Sequence, residues 1–597
     1  MTLIPLAAGP LTMVFDSDTA FLRYVKLGKS ELVRAVFAAV RDQNWDTIPF
    51  VFENLEIDRT DDSFSIRFAA NSLDSHVKFQ WLGTLHGSAS GEVSYQFSGT
   101  ATEPFLRNRI GLCVLHPGAA CAGVPCEVEH ADGSTSIAKF PKSIAPYQPF
   151  KNIRAITHPI CDQTSARVTM AGDVFEMEDQ RNWTDDSFKT YSTPLDIPFP
   201  VEVQAGMAID QSVTIELLGV PAKTASVRNA NSLTSHSPNG RVCQIEIVWN
   251  DPSARPAIGF GCPYETQFNE AAVEEMRRLK PDHLRVDIRF ANPDWKQRLG
   301  GALELAGGCD ASLELALFAT SSDSSQVQQF VSMIRAEGAV VARLLLFHPT
   351  EIVTPSDVLA VGEAVRTELG QSFPIVVGTD AYFAELNRGR PMLSEDRVVC
   401  YSFNPQVHAF DNLSLCETLQ AQRETIDSAV AAFSADVVIS PITLRPRFNP
   451  NATTVIPPAV ALQSAIDPRQ PSGFAAAWTL GTLASTACHD RLRSLTFYEA
   501  YGPRGIMGEA GQRIDMTELF EWVLSSKLFF RATSDSPQQI VALASQRCDG
   551  RRSVHVGNLS DQDCRVQFLC SEGNEQNVFV AAESFAKVTI QLEGKHA

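Results

Sequence analysis

The sequence predicts a multidomain protein in which a (β/α)8 TIM barrel lies between two β-rich regions. Apolar and polar residues alternate with period two over roughly the first 240 residues, and strand patterns return over about the last 80. Between these regions, short apolar runs alternate with amphipathic stretches. The 597 residues suffice for three or four domains. We predict an N-terminal antiparallel β-supersandwich over 1–245, a catalytic barrel over 250–510 and a small C-terminal β-sandwich over 515–597.

The N-terminal region shows strand alternation most clearly. Residues 64–68, 77–81 and 93–97 each place apolar side chains on one face, and Gly, Ser, Asn and Asp lie between them, as turns require. One stretch, 30–40, instead has the apolar spacing of a helix. The region as a whole predicts a large antiparallel sandwich with almost no helix.

Eight apolar runs predict the barrel. They are 258–262, 284–288, 313–318, 342–347, 375–378, 398–403, 437–439 and 494–498. The helical stretches between them are 270–279, 295–306, 325–337, 356–369, 413–433 and 474–488. C-terminal strands are predicted at 540–544, 552–558, 565–569 and 587–592. The layout resembles that of many glycoside hydrolases, but a shared layout does not determine chemistry.

Charge and composition exclude several classes of function. With 50 basic and 69 acidic residues the net charge is −19, so a nucleic-acid partner is not expected. No window reaches the roughly 18 apolar residues of a membrane span, and the N-terminus does not have the pattern of a signal peptide. The thirteen cysteines form no C-x-x-C pair, which indicates reduced thiols and a cytoplasmic setting. A small neutral or polar substrate is the better expectation.

Active sites of such barrels lie at the carboxyl ends of the strands, so the polar residues after each apolar run are the candidates. The second run ends in Arg285, Asp287 and Arg289, which period two places on one face. His348 and Glu351 follow the fourth run and offer an acid and a base. Two structural alternatives stay open, since the first group also suits a buried ion pair and the second suits the start of a helix.

The later strand ends are polar as well. They carry Asp380, Tyr382, Glu385, Asn404, His408, Arg445, Arg447 and Glu499. Together these side chains predict a pocket for a polyhydroxylated ligand, because a purely structural barrel does not need them.

A glycosidase would need two carboxylates that flank the scissile bond. Glu351 suits the position after the fourth strand, but the seventh strand is followed by Arg445, and Glu499 after the eighth strand would have to substitute. This weakens the glycosidase interpretation. The sequence contains no G-x-S-x-G elbow, P-loop or H-E-x-x-H motif, and no ligand cluster predicts a metal or a cofactor.

Residues 176–191 are unusual because five carboxylates, an arginine and a lysine surround Trp183. A solvated loop has this composition, but the aromatic residues favour a loop that is folded onto another part of the chain, such as the barrel mouth. A separate hypothesis assigns substrate binding to four polar residues of this segment. They are Arg181, Asn182, Asp185 and Lys189.

Longer strings carry a family resemblance. They are RNRIGLCVLHP (107–117), EDQRNWTDDSFKTY (178–191), GTDAYFAELNRGRP (378–391), YSFNPQVHAFDN (401–412) and SPITLRPRFNPNAT (440–453). Through them the chain resembles the D-apionate lactonases of bacterial D-apiose catabolism over nearly its whole length. The resemblance implies hydrolysis of D-apionolactone, a branched five-membered sugar lactone, to D-apionate. Asp380 departs from the asparagine expected there, so a substrate contact at this position would alter the preference.

Lactone hydrolysis requires a base that activates water, donors for the oxyanion and a proton for the leaving alkoxide. The candidates for these three roles are, in that order, Glu351 or Glu499, Arg285 or Arg445, and His348 or His408. The alternatives are a cytoplasmic glycoside hydrolase that acts on a pentose-type glycoside and a non-catalytic carbohydrate-binding protein. The expected partner is a small sugar lactone, and the sequence predicts no oligomeric state.

Overall fold

The computed structural model describes residues 2–74, 76–161, 163–219, 241–264, 269–454, 457–569 and 576–589. Within them the chain forms two compact units. The N-terminal unit contains the described residues up to Arg181 together with 186–219 and 451–454. The barrel unit contains 182–185, 241–450 and the described residues from 457 onward. In these ranges every helix is too short or too polar to cross a membrane.

The described part of the N-terminal unit forms 17 strands and a one-turn helix. Strands β1 to β9 are Leu3–Ala8, Leu11–Asp16, Phe21–Leu27, Ser30–Asp42, Phe50–Arg59, Phe64–Ser72, Phe79–Gly87, Val93–Ala101 and Phe105–Pro117. Strands β10 to β17 are Pro125–His130, Thr135–Lys139, Ile153–Cys161, Thr164–Ala171, Glu176–Asp179, Ser187–Tyr191, Val201–Val203 and Ala208–Gly219, and the helix α1 is Gly118–Cys121. A 3-10 helix, Gln180–Trp183, follows β14.

These strands form two antiparallel sheets. One has the order β1-β2-β3-β4-β9-β15-β14, with β16 paired to β9, and the other has the order β11-β10-β12-β13-β17-β8-β7-β6-β5. A single buried core contains residues of both sheets. Across it the ring centroids of Phe15 and Phe68 lie 6.0 Å apart. The predicted antiparallel sandwich is confirmed.

The helical pattern at 30–40 is wrong as a prediction, because this stretch is the strand β4. Val36 and Val40 pack into the core of the sandwich, whereas Ala35 and Phe37 pack into a second buried cluster on the opposite face. A strand buried on both faces has a nearly continuous apolar sequence, which periodicity cannot distinguish from a buried helix. The β-branched valines favour the strand.

The first strand of the barrel unit is β18, Arg241–Ala254, and eight parallel strands that close into a barrel follow it. These strands, β19 to β26, are Ala257–Gly261, His283–Arg289, Ser312–Phe318, Val341–Phe347, Ile375–Gly378, Val398–Phe403, Asp436–Ile442 and Leu492–Glu499. Each of the eight predicted apolar runs overlaps one of them. The predicted (β/α)8 barrel is therefore confirmed.

Helices surround the strands. Helices α2 to α6 are Glu270–Leu279, Trp295–Cys309, Ser324–Ala336, Leu359–Leu369 and Phe383–Gly389, and α7 to α11 are Asn412–Glu417, Gln422–Phe433, Pro458–Ser464, Gly473–Thr486 and Asp515–Ser525. Two 3-10 helices, Ser356–Val358 and Thr418–Gln420, also occur. The stretch predicted as one helix at 413–433 is thus divided between α7, a 3-10 turn and α8. The sequence patterns predicted no helix at α6.

The C-terminal region is a seven-stranded sheet. Strands β27 to β32 are Ser526–Ser534, Ile540–Arg547, Arg552–Asn558, Cys564–Leu569, Gln576–Val580 and Ser584–Thr589. The sheet order is β31-β30-β18-β27-β28-β29-β32, so the predicted domain limits at 245 and 250 fall inside a strand of this sheet. Its edge strands β31 and β32 contact each other, which curls the sheet around a core that contains Phe530, Val556 and Phe568. The end of the strand predicted at 587–592 lies outside the described residues.

Candidate active site

The lumen of the barrel holds a buried polar network centred on Glu314 of β21. Its carboxylate accepts hydrogen bonds from Arg343 of β22 at 2.6 Å and from Thr496 of β26 at 2.8 Å, and also from Ser440 of β25. Arg285 of β20 donates to the Ser440 hydroxyl at 3.0 Å. Burial alone would raise the pKa of Glu314. The neighbouring side chains of His283, Arg343 and Arg285 outweigh burial and lower the pKa to about 2. The network therefore links five strands around a charged carboxylate.

A second group of charges, the arginine–aspartate cluster, lies at the carboxyl ends of the strands and consists of Arg285, Asp287, Arg289, Asp380 and Arg447. Arg285 donates from Nε to Asp287 Oδ1 at 2.7 Å and from Nη2 to Asp380 Oδ1 at 2.6 Å. Arg447 donates to the same Asp380 oxygen at 2.6 Å and to Asp287 Oδ2 at 3.3 Å. Arg289 reaches Asp380 Oδ2 at 3.4 Å. Three arginines thus contact two aspartates, which leaves one positive charge in excess.

The members of the cluster differ in their access to solvent. The side chain of Arg285 is 3% exposed, that of Arg447 is 25% exposed and that of Arg289 is 36% exposed. Burial alone would raise the pKa of Asp287, but Arg285 and Arg447 outweigh it and keep the pKa well below its usual range. Asp287 is therefore ionised, and Arg289 and Arg447 form the more exposed side of the cluster.

A histidine–aspartate pair lies beyond the end of β24. His408 Nδ1 is 2.6 Å from Asp185 Oδ2, and the two side chains are 15% and 16% exposed. The indole of Trp183 meets the His408 ring edge-on, with the centroids 5.2 Å apart and the planes at 88°. The guanidinium of Arg388 lies 5.1 Å from the Trp183 ring centroid. The barrel unit thus includes part of the segment that the sequence predicts to fold onto the barrel mouth.

Tyr382 contacts residues that adjoin the histidine–aspartate pair and the arginine–aspartate cluster. Its ring packs with Trp183 in one buried hydrophobic cluster, and its hydroxyl donates to the Phe448 carbonyl oxygen at 3.4 Å. Burial raises the pKa of Tyr382, while a hydrogen bond with Asn404 and the charge of Arg447 act in the opposite direction. The tyrosine therefore contacts Trp183, which lies beside the histidine–aspartate pair, and Phe448, which follows Arg447 of the arginine–aspartate cluster.

Two domain models of a single family match most of the chain. The model described as "D-apionate lactonase, N-terminal domain" matches residues 2–220, and "D-apionate lactonase, TIM barrel domain" matches residues 259–527. The chain belongs to the D-apionate lactonase family. The second match contains the arginine–aspartate cluster and His408 of this family member.

Curated and solved relatives were also found. The D-apionate lactonase of Brucella anthropi is 28% identical over 571 residues, which is 91% of each chain. A GH51 arabinofuranosidase from Xanthomonas axonopodis pv. citri is 11% identical, with a TM-score of 0.38 over 55% of this chain and 87% of the other. A GH30 endoxylanase from Clostridium papyrosolvens is 9% identical, with a TM-score of 0.39 over 58% and 98%. Structural likeness at this level carries no argument about function.

In this member of the D-apionate lactonase family, Glu351 and His348 lie in a turn after β22. His348 Nδ1 accepts the backbone N–H groups of Thr350 at 3.3 Å and Glu351 at 3.0 Å. The Glu351 side chain is exposed and lines a shallow pocket with residues 389–392, and no member of the arginine–aspartate cluster lines that pocket. The structure does not bring Glu351 and His348 together with the cluster.

Glu499 and Arg445 have ion-pair partners of their own. Arg504 donates to Glu499 Oε1 at 2.7 Å, and burial raises the pKa of Glu499 even though Arg504 opposes the change. Arg445 Nε lies 3.2 Å from Asp467, a carboxylate that Arg469 also contacts at 2.9 Å. Arg445 therefore belongs to a separate ion-pair group.

The remaining predicted residues divide between the two units. In the N-terminal unit Arg181 is fully buried and contacts Asp179 at 2.7 Å, while Lys189 pairs with Glu178. In the barrel unit Asn182 accepts a hydrogen bond from Asn387 at 3.1 Å. Glu385 accepts the backbone N–H of Tyr382 at 3.0 Å and so begins α6. The contacts of Arg181 and Glu385 are those of structural residues.

Several residues of the site are absent from the predicted set. Glu314 is a charged residue inside an apolar strand, which is the pattern of a functional or paired carboxylate and is visible in the sequence. Trp183 stands out in the sequence, but its contact with His408 depends on the tertiary fold. No sequence pattern marks Asp467 as a site residue, because it follows a short helix and not one of the strand ends. Within the described ranges, no three His, Cys, Asp or Glu side chains form a group that could hold a metal ion.

Proposed function

We propose that this chain is a lactonase that hydrolyses D-apionolactone to D-apionate in the bacterial breakdown of D-apiose. The match of both family domains and the similarity to the Brucella anthropi protein over 91% of each chain support this proposal. The reaction needs water, a base and stabilisation of an oxyanion, and it needs no cofactor chemistry.

The observation that carries the proposal is the arginine excess in the cluster at the barrel mouth. Attack of water on a lactone carbonyl places negative charge on the carbonyl oxygen, and preorganised N–H donors stabilise that charge. Asp287 and Asp380 hold the guanidinium groups in place before the substrate arrives. The same carboxylates are acceptors for the hydroxyl groups of a sugar lactone.

Arg447 and Arg289 are better oxyanion donors than the residues chosen from the sequence. Arg285 is only 3% exposed, so a ligand has little access to it, and Arg445 belongs to the Asp467 group. Arg447 and Arg289 are part of the cluster and remain 25% and 36% exposed. We therefore assign the carbonyl oxygen of the lactone to these two side chains.

A panel assay tests the proposal. The purified protein is given D-apionolactone, an unbranched five-membered aldonolactone and nitrophenyl pentosides, and acid release or nitrophenol release is followed. We expect the highest kcat/KM on D-apionolactone and no release from the glycosides. Replacing Arg447 by Met should lower kcat/KM by about 100-fold or more, as the loss of an oxyanion donor does.

The matched control is Arg551→Met, at a side chain that is 75% exposed and lies in the C-terminal sheet region. It should leave kcat/KM unchanged. Glycoside hydrolysis without lactone hydrolysis would overturn the proposal in favour of a glycosidase. Binding of D-apionolactone without turnover would overturn it in favour of a carbohydrate-binding protein.

A further inference from the structure

The pair formed by His408 and Asp185 has the geometry of an oriented general base. An ionised carboxylate only accepts hydrogen bonds, so the 2.6 Å contact requires His408 Nδ1 to carry the proton. In the neutral imidazole the lone pair is then on Nε2. Asp185 thus selects the tautomer in which Nε2 is the basic atom, and its charge stabilises the imidazolium that forms when Nε2 takes up a proton.

The short segment that supplies Asp185 is held firmly against the barrel. Asn182 accepts a hydrogen bond from Asn387 of α6 at 3.1 Å, and Trp183 is buried against Tyr382. Thr184 has a φ of +73°, a conformation that is rare for a β-branched residue and persists only where the surroundings impose it. These contacts fix the direction of the Asp185 carboxylate toward His408.

The pair is linked to Arg447, one of the proposed oxyanion donors, through intervening residues. Trp183 contacts His408 edge-on and packs with Tyr382, and the Tyr382 hydroxyl donates at 3.4 Å to the carbonyl oxygen of Phe448, the residue after Arg447. One chain of contacts therefore joins His408 to the loop that carries Arg447.

We propose that His408 is the general base of the lactonase reaction and that Asp185 is its positioning residue. The inference rests on the proposed function. His408 Nε2 removes a proton from water while the water oxygen forms a bond to the lactone carbonyl carbon, and the carbonyl π electrons move to the oxygen at Arg447. When the intermediate collapses, the ring C–O bond breaks and the imidazolium returns its proton to the leaving alkoxide. The carboxylic acid product then loses one proton to solvent, so lactone and water yield hydroxycarboxylate and H⁺.

The other candidate bases fit this role less well. Glu351 is exposed and lies apart from the cluster, and His348 accepts backbone N–H groups through Nδ1 in the same turn. Glu499 is engaged by Arg504 at 2.7 Å. His408 is the candidate with an orienting carboxylate, and imidazole has the basicity that transfers protons efficiently near neutral pH.

Steady-state kinetics of His408→Ala and Asp185→Asn on D-apionolactone test the inference. We expect kcat to fall by about 1,000-fold in H408A and by at least about 10-fold in D185N, with KM within a few-fold of wild type, because the base acts on the reaction rather than on binding. Added imidazole should restore part of the kcat of H408A and none of that of Arg447→Met. His408→Gln is the second variant, should H408A fail to fold.

Asp427→Asn is the matched control, because Asp427 forms another histidine–aspartate pair, with His489 at 3.1 Å. It should leave kcat and KM unchanged. A folded H408A or H408Q protein with near-normal kcat would overturn the assignment of the base while the lactonase function stands. A drop in D185N that appears only as a raised KM would overturn the positioning role. A wild-type protein that hydrolyses no lactone would instead overturn the proposed function itself.

Discussion

Buried histidines determine how the free energy of unfolding responds to acid. Burial lowers the pKa of His116 and of His555 to about 3, and that of His158 and of His283 to about 4. Each is neutral in the folded protein at pH 5, whereas the same side chain in the unfolded chain binds a proton below about pH 6.5. Unfolding therefore takes up protons, and stability is lost as the pH falls from about 6.5 toward 4.

Replacing His555 by Phe removes the proton uptake that this one histidine contributes on unfolding. The ring of His555 stacks on Trp522 with centroids 3.8 Å apart, and phenylalanine keeps that stacking without the titration. Between pH 7 and pH 5 the free energy of unfolding of the variant should fall by about 2 kcal/mol less than that of wild type. Urea denaturation at both pH values measures the difference.

The control for this variant is His86→Phe, at an exposed position on β7. It should show the same pH dependence as wild type. An H555F protein whose loss of stability between pH 7 and pH 5 equals that of wild type would contradict the account of this histidine.

Individual residues of the site differ in how far the sequence reveals them. Period two correctly places Arg285, Asp287 and Arg289 on one face of a barrel strand, because side-chain direction in a strand is local. Glu351 follows a strand end equally well, yet it is exposed and apart from the cluster, because loop conformation decides where such a side chain points. The pairing of Asp185 with His408 joins residues more than 220 positions apart, and no local pattern predicts it.

Among the elements, β23 sets the geometry of the barrel mouth. It ends at Gly378, two residues before Asp380, and Gly378 has a φ of +152°. A Cβ atom at this position would lie 2.0 Å from the carbonyl oxygen of Cys400 on β24. Only glycine allows the two strands to approach in this way, so the close approach positions the cluster.

Gly378→Ala should therefore destabilise the protein by at least about 3 kcal/mol, because neighbouring backbone has to move. Gly300→Ala in α3 is the control, since no heavy atom lies within 4 Å of a Cβ at that position. The control should be neutral or stabilising by up to about 1 kcal/mol. Urea denaturation compares the two, and a G378A protein as stable as G300A would contradict the steric argument.

Element type follows from the sequence where a short apolar run lies between helical patterns, and it fails where a longer strand is buried on both faces. The eight barrel strands are short apolar runs bounded by helical patterns, and all eight are predicted. Strand β4 is buried on both faces, so its apolar pattern resembles that of a helix. Helix α6 is only seven residues long and polar at several positions, and it begins through the bond between the Glu385 side chain and the backbone of Tyr382.

At the scale of the whole molecule, an acidic chain contains a positively charged site. The net charge is −19, and the arginine–aspartate cluster has an excess of one positive charge. In the proposed reaction a neutral lactone would not be repelled by the acidic surroundings, and the oxyanion would form beside the arginines. The product of that reaction would be an anion, whose departure the surrounding negative charge would favour.

The most direct test of the central claim is a crystal structure of the wild-type protein with D-apionate. The account predicts the product at the carboxyl ends of β20 and β23, with its carboxylate within hydrogen-bond distance of Arg289 or Arg447 and His408 on the opposite side of the carboxyl carbon. D-apionate bound only elsewhere on the protein, with the arginine–aspartate cluster occupied by water alone, would contradict it.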